Sequence, residues 1–142
     1  MAKNLGATHV VSAKDNNPVE VIQDLTHGGV EIAIESAGNA TVLVQAYEST
    51  MRGGTTVAIG LPHPDHQFSI PAVTLSAMEK TVKGSYQGSC VPSRDIPKFI
   101  EMFHAGQLPV DQLLSDTISL EQINEGFDRL HEGEVARQVI LF

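Results

Sequence analysis

The chain has 142 residues, 42% of them hydrophobic, with 12 glycines and 7 prolines, a composition typical of an ordinary globular α/β protein. A chain of this length buries roughly 68–70% of its unfolded surface, so a single core is stable without a disulfide or a metal. The 17 acidic residues outnumber the 9 basic ones, giving a net charge of -8 with no dense lysine or arginine cluster, which argues against nucleic acid or an anionic membrane as a partner.

Short β-branched runs alternate with helical patterns along the first half, which is typical of βαβ units and a parallel sheet. A first strand is predicted over residues 8–12. The run Asn17-Pro18-Val19-Glu20 then opens a helix with a cap, a proline at its first position and an acid at its third. Gly28 and Gly29 end this helix, and the alternating run VEIAIE predicts a second strand over residues 30–35.

The pattern repeats in the next segment. A helix is predicted over residues 41–51, followed by a third strand over residues 55–59 that ends in the turn Gly60-Leu61-Pro62. Phe68-Ser69-Ile70 predicts a short extended piece. Pro71 begins one or two helical turns, and residues 81–86 predict a fourth strand.

From Ser93 onward the pattern is helical again. An amphipathic helix ends at Gly106, residues 116–120 predict a short strand, and the capping box 119–122 opens another helix. A last strand is predicted over residues 137–142. The first of these helices carries an apolar face made of Ile96, Phe99, Ile100 and Phe103, and on the second helix Ile123, Phe127 and Leu130 are expected to face inward.

The single Cys90 rules out an internal disulfide. No charged-then-apolar leader precedes the first predicted strand, and every apolar run is far shorter than the roughly 20 residues that cross a bilayer. We therefore expect a protein of the reducing cytoplasm with no membrane partner.

The predicted turns at the carboxyl ends of the strands are the candidate ligand-binding segments. In a doubly wound fold these ends bring helix N-termini and backbone amides together. The turns are Ser36-Ala37-Gly38, Gly60-Leu61-Pro62 and Ser85-Tyr86. Each one alone is a weak signal, because a glycine after a strand is usually only a turn.

Several phrases together resemble the medium-chain, zinc-containing alcohol dehydrogenases: LGATHVV, GGVEIAIESAGN, GGTTVAIGLP, VKGSYQGS and INEGFDRLHEGEVARQVILF. The resemblance covers essentially the whole chain and corresponds to the C-terminal half of those enzymes. It implies a partial Rossmann-type doubly wound parallel sheet with a C-terminal helix and strand segment. Residues 1–86 would be the second half of the NAD(P)-binding domain, and residues 87–142 a segment that returns to the catalytic domain.

The resemblance also implies contacts with a nicotinamide cofactor, NAD or NADP. Residues beside the nicotinamide ring would be Ile59, Gly60 and Leu61. Residues meeting its carboxamide through the backbone would be Ser85 and Tyr86. Residues on the adenosine side would be Ser36, Ala37 and Gly38. Arg137 would reach the pyrophosphate, which suits a planar guanidinium able to make two parallel hydrogen bonds. From the residues alone, a surface ion pair is the alternative for Arg137.

The parts that carry the family's chemistry do not map onto this sequence. A catalytic zinc needs three protein ligands and an open position, and the family draws them from cysteines and histidines of an earlier domain. Zinc is therefore expected only in the full-length enzyme, and this chain alone is expected to be inactive. No G-x-G-x-x-G follows a strand and no acid is placed for the adenosine ribose, so the choice between NAD and NADP stays open.

The predicted strands leave a gap in the family's order 3-2-1-4-5-6, because they correspond to strands 3, 4, 5 and 6. Unpaired buried backbone groups are costly, so the first strand is displaced, another chain supplies the pairing, or this chain is a piece of a larger enzyme. The start of the sequence falls inside a helix of the family pattern, which favours the last option. A homo-oligomer is expected through the sheet edge near residues 68–70 and 81–86.

Other constellations are weaker. His63-Pro64-Asp65-His66 offers two imidazoles and a carboxylate, but an irregular loop does not direct them to one point. Cys90 has no flanking base to activate it, and Glu31 and Glu35 lie about 13 Å apart along a strand. The sequence therefore predicts the cofactor-binding part of an NAD(P)-dependent zinc alcohol dehydrogenase. The alternatives are a zinc-free quinone oxidoreductase of the same superfamily and a non-catalytic nucleotide-binding or association module.

Overall fold

Two separate parallel sheets organise the chain, one in each of two structural units, Met1–Cys90 and Val91–Phe142. The structure, a computed structural model, describes residues 1–142. The elements of the first unit are α1 (Pro18–Thr26), β1 (Val30–Glu35), α2 (Ala40–Glu48), β2 (Thr50–Ala58), α3 (Ala72–Ala77) and β3 (Thr81–Gly84). The elements of the second unit are α4 (Pro92–His104), β4 (Asp116–Ile118), α5 (Ile123–His131) and β5 (Gln138–Ile140). No helix is long and apolar enough to cross a membrane.

The first unit is built on the parallel strand order β1-β2-β3. The ladder runs from Ile32 opposite Thr55 to Glu35 opposite Ala58, and β3 pairs with the same stretch of β2. Helix α2 packs against this sheet through the buried Leu43 and Tyr47. The α/β class and the parallel sheet predicted from the alternating pattern are confirmed.

Local capping signals predicted the first helix well. The side chain of Asn17 accepts a hydrogen bond from Val19 N at 3.1 Å and donates one to Glu20 Oε1 at 2.8 Å. His27, in the left-handed region with φ 56°, ends the helix. These are short-range interactions, so residues that are neighbours in sequence are sufficient to specify them.

The second helix is shorter than predicted, and the strand after it begins earlier. Helix α2 ends at Glu48 rather than at residue 51, because Ser49 O accepts a hydrogen bond from Val30 N at 2.9 Å and thereby starts strand pairing. Thr50 donates through its hydroxyl to Tyr47 O at 2.7 Å, which closes the helix end. The pairing is irregular between Val30 and Ile32, where β2 bulges.

Two predicted extended segments form no strand. Residues 8–12 and 68–70 lie in irregular structure, and β1 pairs only with β2, so its outer edge carries no strand. A strand requires a hydrogen-bonded neighbour, which β propensity alone does not provide. Strand β3 stops at Gly84, before the predicted end at residue 86, because the following turn 86–89 places Gln87, Gly88 and Ser89 at positive φ.

The second unit has a small core. Strands β4 and β5 pair in parallel from Asp116 opposite Gln138, and both are shorter than the strands predicted over 116–120 and 137–142. The predicted capping box of Ser119 and Gln122 is present. The buried apolar side chains of the second unit are Ile118 and Val135.

The prediction that the apolar side chains of α5 face inward was wrong for most of them, and the apolar face of α4 is exposed as well. Phe127 is 62% exposed, and the other exposed members are Ile96, Phe99, Ile100, Phe103 and Leu130. Ile123 is half-buried. Helical periodicity correctly identified one apolar face on each helix, but periodicity does not decide whether such a face is buried.

Candidate functional site

The turns that follow β1, β2 and β3 lie side by side at the carboxyl edge of the first sheet. Ile59 N and Gly60 N both donate to Glu35 O, at 2.9 Å and 3.1 Å. Ser85 N donates to Ala58 O at 2.9 Å, which extends the β2–β3 ladder into the third turn. The structure therefore brings together the predicted site residues of the first unit.

The first two turns touch backbone to backbone, and this contact requires glycine on both sides. A Cβ added to Gly60 would lie 2.2 Å from Gly38 N and 2.6 Å from Gly38 Cα. A Cβ added to Gly38 would lie 2.9 Å from Leu61 O, and Gly38 also has a positive φ of 69°. These glycines therefore have a structural role in joining the turns, which the sequence did not reveal.

Beneath this contact lies a buried carboxylate that sequence reasoning missed as a site residue. Glu35 is only 2% exposed, and its Oε1 accepts a hydrogen bond from Asn39 N at 3.3 Å. Its Oε2 faces Gly60, since a Cβ there would lie 2.8 Å away. An acid that ends an alternating strand gives no sequence signal of burial, because such residues are usually solvated.

Asn39 links the first turn to helix α2. Its Oδ1 accepts hydrogen bonds from Thr41 N at 2.8 Å and Val42 N at 3.3 Å. This N-cap was not predicted from the sequence, although an asparagine directly before a helix is its usual signal. The backbone amide of Asn39 is hydrogen-bonded to Glu35, and its side chain is hydrogen-bonded to the first turn of α2. These contacts at both ends of Asn39 fix the path of the turn 36–38.

Side chains and amides at this edge are available to a ligand. Leu61 and Tyr86 are 72% and 67% exposed, and Ile59 is also exposed. The backbone N–H groups of Ala37 and Leu61 donate to no protein acceptor. The edge thus combines apolar side chains with unused backbone donors, a combination common in small-molecule sites.

Arg137 belongs to the second unit and directly precedes β5. Its guanidinium is exposed and forms no ion pair, so the surface ion pair weighed for it from sequence does not occur. The other arginines each have an acidic partner: Arg52 with Glu79 at 3.6 Å, Arg94 with Asp95 at 2.6 Å, and Arg129 with Asp116 at 3.0 Å. Arg137 is therefore the one arginine of the chain without an acidic partner.

The other candidate groups of reactive side chains do not form a metal site. The rings of His63 and His66 lie 5.5 Å apart, and His63 Nδ1 is 3.5 Å from Asp65 Oδ2, all on an exposed loop. No three His, Cys, Asp or Glu side chains are placed to hold a metal, so the chain offers no ligand set for zinc. Cys90 is half-buried.

Two apolar cavities lie elsewhere. One of about 660 Å³ is bounded by α1, α2 and β1 and contains none of the predicted site residues. A second of about 330 Å³, in the second unit, is lined by α5 and β5 residues and by Arg137. Neither cavity coincides with the edge formed by the turns of the first unit.

The comparisons with known proteins identify the family. The model of the zinc-binding dehydrogenase family matches residues 1–105, and the chain belongs to that family. Alcohol dehydrogenase 1 of Cenchrus americanus is 35% identical over 98% of this chain and 37% of the relative. Alcohol dehydrogenase 1 of Zea mays is 34% identical over the same shares.

Solved structures agree with this assignment. Benzyl alcohol dehydrogenase from Acinetobacter calcoaceticus superposes with a TM-score of 0.90 at 31% identity, covering 98% of this chain and 38% of that one. The 2R,3R-butanediol dehydrogenase from Bacillus subtilis gives 0.77 at 30% identity, covering 98% and 39%. The resemblance drawn from the sequence is confirmed, and the chain spans little more than a third of these relatives.

Proposed function

We propose that this chain is the cofactor-binding C-terminal part of an NAD(P)-dependent zinc alcohol dehydrogenase, inactive alone, whose parent moves a hydride between an alcohol or aldehyde and nicotinamide. The observation that carries the proposal is the alignment of the turns after β1, β2 and β3 through hydrogen bonds to Glu35 O and Ala58 O. Membership of the zinc-binding dehydrogenase family supports it. The relatives at 34–35% identity are alcohol dehydrogenases, which favours the zinc-dependent branch over the zinc-free quinone oxidoreductases.

The residues at this edge fit a nicotinamide cofactor. The cofactor supplies the hydride-accepting carbon when bound. Ile59 and Leu61 would form an apolar wall that keeps water from the ring, and the backbone at Ser85 and Tyr86 would hold the carboxamide. The turn 36–38 would flank the adenosine side.

Arg137 would bind the cofactor pyrophosphate. Its guanidinium is exposed, and no carboxylate of the chain neutralises it. The planar fork of a guanidinium donates two parallel hydrogen bonds to phosphate oxygens, a geometry that the single nitrogen of a lysine does not provide. NAD and NADP share the pyrophosphate, so this residue would serve either cofactor.

Zinc does not fit this chain, since no three potential ligand side chains converge. A metal in the parent enzyme would be held by residues outside these 142. The single Cys90 and the absence of a disulfide support a reducing, cytoplasmic setting.

The decisive experiment is a titration of the purified 15.3 kDa chain with NADH, followed by nicotinamide fluorescence. Arg137→Ala should weaken binding by about tenfold to a hundredfold, the value of a hydrogen bond to a charged group. Arg52→Ala is the matched control, because Arg52 is exposed and already paired with Glu79. Equal affinities of the two variants would contradict the role of Arg137.

A catalytic assay tests the other half of the proposal. The chain, with its mass verified, should oxidise no alcohol in the presence of NAD, NADP and zinc. Turnover at a rate comparable to that of complete dehydrogenases would overturn the assignment.

We further propose that copies of the chain associate through the outer edge of β3, near residues 68–70 and 81–86. Strand β3 is an edge strand. Because Ser85 N points toward β2, the alternation of a strand directs Val82 N outward.

Val82→Pro should therefore give a monomer by light scattering while the sheet stays intact, since proline is tolerated at an outward edge position. Lys83→Pro, which removes an inward donor, is the control that should unfold the sheet. A monomeric wild-type chain at high concentration would contradict this interface.

A further inference from the structure

We propose that Ser115 is a positioning residue for Arg137, holding the backbone from which the guanidinium reaches the cofactor pyrophosphate. This inference rests on the proposed function, which assigns Arg137 to that pyrophosphate. Ser115 lies just before β4 and Arg137 just before β5, so the two residues stand together where the two-stranded sheet begins.

Ser115 binds the backbone on both sides of Arg137. Its N–H donates to Arg137 O at 2.8 Å. Its hydroxyl oxygen accepts from Ala136 N at 2.9 Å and from Arg137 N at 3.4 Å. A single side chain therefore satisfies two successive amides, a task for a hydroxyl oxygen with two lone pairs.

The Arg137 side chain has no ion pair of its own to orient it. The part of Arg137 that the protein does hold is its backbone, which Ser115 anchors on one side. On the other side Gln138 starts the ladder opposite Asp116. Loss of the hydroxyl would leave the amides of Ala136 and Arg137 unpaired and free the segment to rotate, which lowers the pre-organisation of the guanidinium.

The test compares ADP-ribose, which contains the pyrophosphate, with adenosine, which does not. Ser115→Ala should weaken ADP-ribose binding to the chain by about threefold to tenfold, the range expected for one neutral hydrogen bond. Adenosine binding should not change, and Ser115→Thr should restore ADP-ribose affinity. Ser119→Ala is the control, because Ser119 is a serine at the other end of β4 that contacts the capping box and not Arg137.

A double-mutant cycle shows whether Ser115 acts through Arg137. In the Arg137→Ala background, Ser115→Ala should cause no further loss of ADP-ribose affinity, because the group that it positions is gone. Additive losses would overturn the inference. Hydrogen–deuterium exchange of the Arg137 amide should also accelerate in Ser115→Ala and not in Ser119→Ala.

The outcomes separate this inference from the proposed function. No ADP-ribose binding by the wild-type chain, or no loss in Arg137→Ala, would overturn the assignment of Arg137 itself. A loss in Arg137→Ala with none in Ser115→Ala would overturn only the role of Ser115. Should Ser115→Ala fail to fold, Ser115→Cys keeps the shape with a weaker acceptor and must show the same selective loss of ADP-ribose affinity.

Discussion

Replacement of Gly60 by alanine should drive apart the turns after β1 and β2. The added Cβ would lie 2.2 Å from Gly38 N and 2.6 Å from Gly38 Cα, whereas ordinary contact begins at 3.4 Å. Both neighbours are backbone atoms, so no side-chain rotation can relieve the overlap. The turns must therefore separate or the local backbone must shift.

The size of the effect follows from the contacts that such a movement strains. Overpacking costs about 1–3 kcal/mol. Separation of the turns also stretches the hydrogen bonds from Ile59 N and Gly60 N to Glu35 O, and a lost hydrogen bond costs about 1 kcal/mol. We expect the free energy of unfolding to fall by about 2–4 kcal/mol. At this chain length each kcal/mol lowers the melting temperature by roughly 3 °C.

Urea unfolding followed by circular dichroism measures this loss, and Gly84→Ala is the matched control. Gly84 ends β3 at the same edge, but an added Cβ there meets nothing within 4 Å. Its replacement should be neutral or stabilise by up to about 1 kcal/mol, because alanine restricts the unfolded chain. NADH affinity should fall in Gly60→Ala and not in Gly84→Ala. Equal stability of the two variants would refute the close contact of the turns.

The remaining predictions concern single interactions. Asn39→Ala should lower the free energy of unfolding by about 1 kcal/mol through loss of the α2 cap, while Asn39→Asp keeps it; equal urea midpoints would contradict this. Tyr47→Phe removes the 2.8 Å hydrogen bond between the buried tyrosine hydroxyl and Thr74 Oγ1 and should cost about 1 kcal/mol in the same assay. The hydrogen bond from Arg129 holds the pKa of the Asp116 carboxyl below its usual range. The ionised carboxylate therefore stabilises the folded state fully above about pH 3.9, the pKa of an unperturbed Asp. This stabilisation is lost as the pH falls through the lower pKa of Asp116 in the folded state. Asp116→Asn should therefore flatten the acid side of the stability profile; a profile parallel to wild type would argue against the pairing.

Short-range patterns predicted the elements whose stabilising contacts lie within a few residues. The cap at Asn17, the strand Val30–Glu35 and the capping box at Ser119 match the structure, because backbone geometry and local hydrogen bonds are sufficient for them. The resemblance to zinc alcohol dehydrogenases, confirmed by the family match, also came from sequence phrases alone. The cofactor roles of the turn residues and Arg137 remain predictions that the titrations above address.

What only the tertiary structure decided depends on partners distant in sequence. Residues 8–12 form no strand because they lie beside no hydrogen-bonded neighbour in the sheet, and Glu35 is buried because the turns after β1 and β2 close over it. The hydrogen bonds between Ser115 and the backbone of residues 136–137 join two segments that precede separate strands. Periodicity along the chain identifies which face of an element is apolar, whereas burial, strand pairing and close backbone approach depend on which segments meet in space.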